Sequence, residues 1–532
     1  RLGHPIWKKA LKDSGISTEK QAEVIDRIQG GYVQWQENSF PGLLGNVVAG
    51  RIANRLNLSG TNSATDAACA SSLSAIHTAV MELMTGKCDI SITGGSDTLN
   101  DIFMHICFSK TGVLSHSSDA KPFSKDADGT VLGEGIGMLV LKRLADAQKD
   151  NDRIYAVIKG VGTSSDGRTS AVYAPDADGQ LKALTQAYTQ AHIQPDTVAL
   201  IEAHGTGTRV GDKVEFDALK RCFSPAGATH RIALGSVKSM IGHTKAAAGA
   251  AGMIKSVLAL YNKVLPPTLK AQDPDPDLKI NDSCFYLNDR TRPWVASAPR
   301  RSGVSAFGFG GSNFHVVLEE YTPLKTHVSW DGRIQIFSFS GKTEQKIREQ
   351  IHAVHSRVAA ITDAHEKQQM AAWCAGESRK HFSSDHAIRL LLVHQTQTDI
   401  LADLAHAKTV LDQKCSNGNA YFASGVPTGK LGFLFPGQGS QYTGMARDLI
   451  SMFPEALDAL EKASTAVFES YPASGQKPLQ DYIFPPPAHV QPNATSENQL
   501  RQTDIAQPAI GAVSLRSEEH TSELQSPFNL VC

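Results

Sequence analysis

The apolar residues of this chain change period many times along its length. "CDISITGGS" (88–96) is a short apolar run that ends in glycines, and "LGEGIGMLVLKRL" (132–144) has a Gly-rich turn feeding another run. "RIYAVIKGVG" (153–162), "VALIEAHG" (198–205) and "RIALGSVKS" (231–239) repeat the theme. Their lengths and flanking glycines predict buried strands. Elsewhere the apolar spacing is helical. Leu73, Ile76, Val80 and Leu83 recur ahead of Gly86, a helix with a glycine stop. "DGQLKALTQAYTQAH" (178–192) is amphipathic, and "KAAAGAAGMIKSVLALYN" (245–262) is Ala-rich with small faces. Alternating strands and helices over residues 1–320 give the α/β class.

Residues 321–428 are richer in His, Gln and Lys, yet keep strand–helix units in "IQIFSFSGKTEQKIREQIHAV" and "HAIRLLLVHQTQTDILADLAHA". They predict a small α/β linker domain. "KLGFLFPGQGSQYTGMARDL" (430–449) opens a new strand–loop–helix, and "IFPPPAHVQPNATSENQ" is a Pro-rich loop. The polar "RSEEHTSELQS" (516–526) follows the apolar "QPAIGAVSL" abruptly and is expected to break a helix in mid-course. It resembles a translated sequencing adapter, so 516–532 is expected to be non-native.

Composition narrows the function classes. The 532 residues suit about three or four domains. A net charge of −1 supplies no field for nucleic acid or an anionic membrane. No apolar run is long enough to span a bilayer, so no membrane span is expected. The start, "RLGHPIWKK", is not a secretion signal and lacks an initiator Met. The cysteines at 69, 88, 107, 222, 284, 374, 415 and 532 are scattered, with no metal-ligand spacing. They suggest a reducing, cytoplasmic setting and neither a disulfide framework nor a bound metal.

One of those thiols stands apart. In "DAACASS" (66–72), Cys69 has small neighbours and precedes the helix carrying Leu73 and Ile76. A cysteine is ordinarily a small buried hydrophobe. At a helix start, unpaired N–H groups and the helix dipole favour a thiolate, and small neighbours admit a substrate. Cys69 is therefore a candidate nucleophile. Three further motifs fall at loop positions just after strands: "EAHGTGT" (202–208) with His204, "SVKSMIGHTKAAAG" (236–249) with Lys238 and His243, and "SAFGFGGSNFHVVLEE" (305–320), a Gly-rich turn followed by a strand. "LGEGIG" leads into a strand rather than a helix, so it is not a dinucleotide loop.

"DAACASSLSAI", "EAHGTGT", "KSMIGHTKAAAGAAG" and "FGFGGSNFHVVLEE", in this order, resemble the β-ketoacyl synthase (ketosynthase) domain of polyketide and fatty acid synthases over most of residues 37–320. The resemblance implies a thiolase-like fold of two similar halves stacked α-β-α-β-α, acting as a homodimer. It implies Cys69 as acyl-accepting nucleophile, His204 and His243 as its partners and Lys238 as a supporting lysine. Phe307, Gly308, Phe309 and Gly310 would form a gating or oxyanion loop, and Glu134 would match the acid of a "GEG" element. No cofactor is implied in the ketosynthase. Substrates would be acyl and malonyl thioesters on the phosphopantetheine of acyl carrier protein domains.

"FLFPGQGSQYTGMARDL" with "TDIAQPAIGAVSL" resembles the beginning of a malonyl-type acyltransferase, with Gln438 beside its oxyanion hole. The implied division is ketosynthase 1–320, linker 321–428 and acyltransferase start 429–515. Only 68 residues precede Cys69, so the first strands of the sheet are expected to be missing. The "GHSxG" serine of an acyltransferase is also absent. "ENSFPGLLGNVVAGRIANRL", "FSKTGVL" and "FPPPA" look most like the multidomain subunit of bacterial polyunsaturated fatty acid synthases. Ser124 and "GDKVEF" depart from the family pattern. A modular polyketide synthase and a catalytically silent dimerisation or chain-length scaffold are the alternatives. A thiolase would need a second catalytic cysteine near the last Gly-rich loop, and none is there.

Overall fold

The structure, a computed structural model, describes residues 3–32, 35–223, 232–329, 332–425, 437–470, 477–487 and 493–523. Its largest sheet has six strands in the order Val157–Ser165, Ser312–Glu319, Arg301–Gly308, Leu200–Glu202, Ile232–Gly235 and Phe285–Leu287. The first three pair antiparallel and the remaining pairings are parallel. Ile232–Gly235 is buried at all its positions, as a parallel strand covered on both faces must be.

Each face of this sheet has its own core. On one side the helices Ala177–Ala191 and Arg209–Phe223 enclose Leu184, Tyr188, Phe216, Phe223 and Phe285. Helix and sheet meet closely here because Gly162 has no side chain: a Cβ there would stand 1.9 Å from the Ala183 carbonyl. On the other side Leu73, Ile76, Met253, Leu260, Val304 and Val316 form a second core. Burial of each such side chain contributes about 1.5–3 kcal/mol. Leu73 and Ile76 come from the helix Ser71–Met84, and Met253 and Leu260 from Ala248–Asn262. These two helices lie between the large sheet and a smaller antiparallel pair, Ile90–Asp97 with Gly135–Lys142. Among the described residues that pair makes up the second sheet. Leu139 and Leu141 pack inward, while Ile136 and Val140 are exposed.

The layers agree with the α/β reading, with local differences. The "GFGG" turn follows one strand and leads into another, and the sequence reading gives no bounds to the earlier one. The first strand, Arg301–Gly308, begins in the charged "APRRSG", which hides its period. Residues 334–424 form a separate three-stranded antiparallel sheet with its own core, including Phe337, Phe339, Leu390 and Leu404. Beyond it the described residues are helical, around Leu457, Leu460, Ile483 and Ile505. The strand expected at the start of 430–449 lies outside the described residues. The backbone remains helical over Thr503–Glu523, so the change of composition after Leu515 does not end that helix.

Candidate active site

The two inner helices begin side by side, and their approaches carry the chemistry. Ala68–Ala70 forms a 3-10 turn before Ser71–Met84, and Lys245–Ala247 forms another before Ala248–Asn262. Each turn opens on a residue at positive φ, Ala68 at 49° and Lys245 at 49°. Ser72 Oγ accepts the Ala250 N–H at 2.9 Å, tying the two helix starts together. Cys69 is thus one turn ahead of its helix, where the sequence places it. The thiol is buried, and this changes its chemistry. Loss of water pushes its pKa up, against the Lys238 charge and the N–H groups of Phe309 and Cys69, which pull it down. The unliganded site holds a thiol, not the resting thiolate that the helix position suggests.

His204 follows the short strand Leu200–Glu202, and His243 follows the turn Lys238–Ile241. Their rings meet edge to face with centroids 5.5 Å apart. Phe307 stands 5.7 Å from His204. Burial, with Lys238 nearby, depresses both imidazole pKa values well below the ordinary range. Both rings are therefore neutral at pH 7. The Lys245 backbone N–H donates to His243 Nδ1 at 3.0 Å. An amide N–H can only donate, so His243 carries its proton on Nε2. Lys238 donates its ammonium proton to the His204 carbonyl, so the lysine of the His243 motif positions the other histidine.

Beneath the His204 loop lies a pair of acids. Glu215 accepts the N–H groups of His204 and Gly205, each at 2.7 Å. Asp212 accepts those of Phe123 and Gly207, at 2.7 and 3.1 Å. Burial raises both carboxyls to about 7. These acids sit at i and i+3 in the first turns of Arg209–Phe223. That spacing in "GDKVEF", which follows a His-Gly-Thr-Gly turn after three intervening residues, is the signal that would have found them.

Cys69, His204, His243, Phe307, Gly308, Phe309 and Glu215 line one cavity of about 630 Å³. Its other walls include Phe108, Thr130, Tyr173 and Val210. Gly308 faces the Cys69 loop so closely that a Cβ would stand 2.1 Å from the Ala67 carbonyl. Gly310 adopts φ 93° and donates its N–H to the Val172 carbonyl. Phe309 is part-exposed, with its ring 6.3 Å from that of Tyr173. Glu134 does not line the cavity, and instead accepts the Asn100 N–H at 2.8 Å. Gln438 is elsewhere, its amide 3.4 Å from Thr503 Oγ1. Among the described residues no cluster of three metal-ligating side chains occurs, and no helix is long and apolar enough to cross a membrane.

Three family models match end to end: the β-ketoacyl synthase N-terminal domain over 8–147, its C-terminal domain over 155–272, and the ketoacyl-synthetase C-terminal extension over 274–389. The ketosynthase from module 6 of the bacillaene synthase of Bacillus subtilis 168 is 32% identical, with 74% of this chain and 68% of that one covered and a TM-score of 0.52. The chain belongs to the β-ketoacyl synthase family. Its fold is accordingly thiolase-like. The oxazolomycin ketosynthase domain OzmH KS7 of Streptomyces albus JA3453 shares the fold, at 29% identity over 75% of this chain and 68% of that one, with a TM-score of 0.53. A polyunsaturated fatty acid synthase subunit from a Thraustochytrium species is 38% identical over 88% of this chain and 18% of that protein. Polyketide synthase GfsE of Streptomyces halstedii is 34% identical over 89% of this chain and 12% of that protein. This ketosynthase-family chain thus spans less than a fifth of either of those two relatives.

Proposed function

We propose that this chain carries the condensing site of an iterative, polyketide-type synthase of polyunsaturated fatty acids. The observation that carries the reading is the convergence of Cys69, His204 and His243 on one cavity, with both imidazoles neutral. Cys69 sulfur attacks the carbonyl carbon of an acyl thioester on a carrier's phosphopantetheine. The carrier C–S bond breaks, its sulfur takes the proton given up by Cys69, and the acyl group stays on Cys69. The N–H groups of Cys69 and Phe309, already directed at the thiol, hold the oxyanion.

Malonyl-carrier then loses CO2. The electron pair of the broken C–C bond passes into an enolate whose oxygen is held by His243 Nε2–H and the His204 ring. Preorganised donors of this kind are worth about 3–4 kcal/mol each. The enolate carbon attacks the Cys69 thioester, a C–C bond forms, and the Cys69 sulfur leaves and is reprotonated. No redox step occurs. The carrier is an acyl carrier protein domain, and the working unit is a homodimer. The scattered cysteines suit a reducing cytoplasm.

Identity to the polyunsaturated fatty acid synthase relative, 38%, exceeds the 34% to GfsE and favours the iterative type. Residues 429–515, whose described helices pack around Leu457 and Ile505, would open an acyltransferase, with Gln438 near its oxyanion hole. The deciding test is mass spectrometry of the Cys69 peptide from the full-length protein after exposure to a short acyl thioester. Acyl mass on Cys69 supports a condensing enzyme. A folded dimer without it would leave the scaffold role.

A further inference from the structure

Lys245 is buried, with its side chain 7% exposed, and takes no part in the chemistry above. Its backbone is in the left-handed region at φ 49°, which is unfavourable for a non-glycine residue. In that conformation its N–H reaches His243 Nδ1. Its ammonium group turns the other way, toward the first half of the molecule. It lies 3.1 Å from Asp97 Oδ1 and donates to Asn100 Oδ1 and to the Gly133 carbonyl at 2.9 Å. Asp97 Oδ2 accepts the Ala246 N–H at 3.3 Å, so one carboxylate holds both ends of the Lys245–Ala246 step.

The ring of contacts closes on His243. Gly133 donates its N–H to the His243 carbonyl at 2.9 Å, and His243 donates its own to Val131 at 2.6 Å. Glu134 clamps the Asn100 N–H, which places the loop that receives the ammonium. Lys245 therefore ties the His243 loop to the strand Ile90–Asp97 and to the "GEG" turn together. The charged and titratable groups around His243 are Lys245, Lys238 and His204, with Cys69 and Glu215 lining the same cavity and Asp97 acting through Lys245. The Lys245 charge adds to burial and Lys238 in disfavouring the imidazolium.

We infer that Lys245, locked by Asp97, is a positioning residue that fixes the orientation and the Nε2-protonated tautomer of His243. This rests on the condensing role proposed above. It separates the two half-reactions. Acyl loading uses Cys69 and its N–H groups, whereas malonyl decarboxylation needs His243 Nε2–H. Loss of Lys245 impairs the second far more than the first.

The test uses the full-length protein with Lys245→Met, Asp97→Asn and Lys245→Arg. For Lys245→Met the expected result is a fall in malonyl-thioester decarboxylation of at least tenfold and in Cys69 acylation of less than threefold. The acid limb of its decarboxylation profile moves to higher pH, because the imidazole protonates more easily. Asp97→Asn gives the same split in milder form, and Lys245→Arg restores part of the decarboxylation. An equal fall in both half-reactions, or no change in either, overturns the inference. Should Lys245→Met not fold, Asp97→Asn alone decides by the same criterion. Nitrogen-15 spectra of labelled histidine report the His243 tautomer whatever the activity. A single Nε2–H form in wild type that becomes mixed in Asp97→Asn supports positioning. An unchanged tautomer overturns it. If wild type neither loads nor decarboxylates, the condensing role fails, and the spectra still decide the positioning.

Discussion

At the residue scale the site depends on how burial treats each titratable group. Cys69 is raised by loss of water, so its thiolate fraction keeps growing past the usual cysteine pKa of about 8.5. Its alkylation by iodoacetamide is expected to go on accelerating above pH 9, and a plateau below pH 7 would contradict this. Cys69→Ala abolishes acyl loading, read as loss of acyl mass on that peptide. His204 and His243 are shifted the opposite way, so the imidazoles stay neutral as pH falls past 6.5. Malonyl decarboxylation is therefore expected to be flat from pH 8 to 6.5, with its acid limb lower. His204→Ala or His243→Ala should cost about 100- to 1,000-fold in condensation, the range for a lost preorganised donor, and much less in loading. If either variant lost loading but kept decarboxylation, the division of roles would be reversed.

At the element scale the site depends on close approach of backbone segments. The Cys69 turn is pressed between the strand Arg301–Gly308 and the start of the helix Ala248–Asn262. Gly308→Ala places a methyl group against the Ala67 carbonyl, an atom with no freedom to move away. The expected outcome is at least a tenfold loss of Cys69 acylation with a lowered melting temperature, measured by acyl mass and thermal unfolding. Much of this was legible beforehand. The helix after Cys69 and the strand–turn–helix units around His204 and His243 follow from period and glycine placement. The acids Asp212 and Glu215 were not singled out, because a carboxylate in a first helical turn ordinarily reads as a dipole partner facing water. Only the packing of Arg209–Phe223 against the sheet turns them inward.

At the scale of the whole molecule, buried charges join the ketosynthase sheet to the C-terminal helices. Arg300 bonds Glu320 at 2.9 Å and also Glu461, which lies on the helix Pro454–Ser470. Glu461 accepts the Ala296 N–H as well, at 3.1 Å. Burial outweighs the Arg300 charge and raises the Glu461 carboxyl to about 7. A carboxyl whose folded pKa is raised binds its proton more tightly when docked. Its contribution is fully present below the unfolded value and is lost as pH rises through about 7, at about 1.4 kcal/mol per pH unit. Hydrogen-exchange protection of Pro454–Ser470, corrected for intrinsic rates, is expected to be greater at pH 5 than at pH 7. Glu461→Gln should flatten that difference, and an unaltered pH dependence would rule Glu461 out as its source.

The sequence by itself determined the α/β class, the order of the motifs and the thiol and imidazoles that meet. These are local properties, set by residue type, by period and by glycine at turns. It also carried the family resemblance that the comparisons bear out. Tertiary structure decided what those groups are in chemical terms. The helix start argues for a thiolate at Cys69, yet the depth of its pocket holds it as a thiol. Lys238 belongs to the His243 motif in the chain but to the His204 carbonyl in space. Lys245 reads as one more polar residue before an Ala-rich helix until Asp97, 148 positions earlier, closes on it. Protonation and partnership depend on water and on segments distant in sequence, and neither is written in a local pattern.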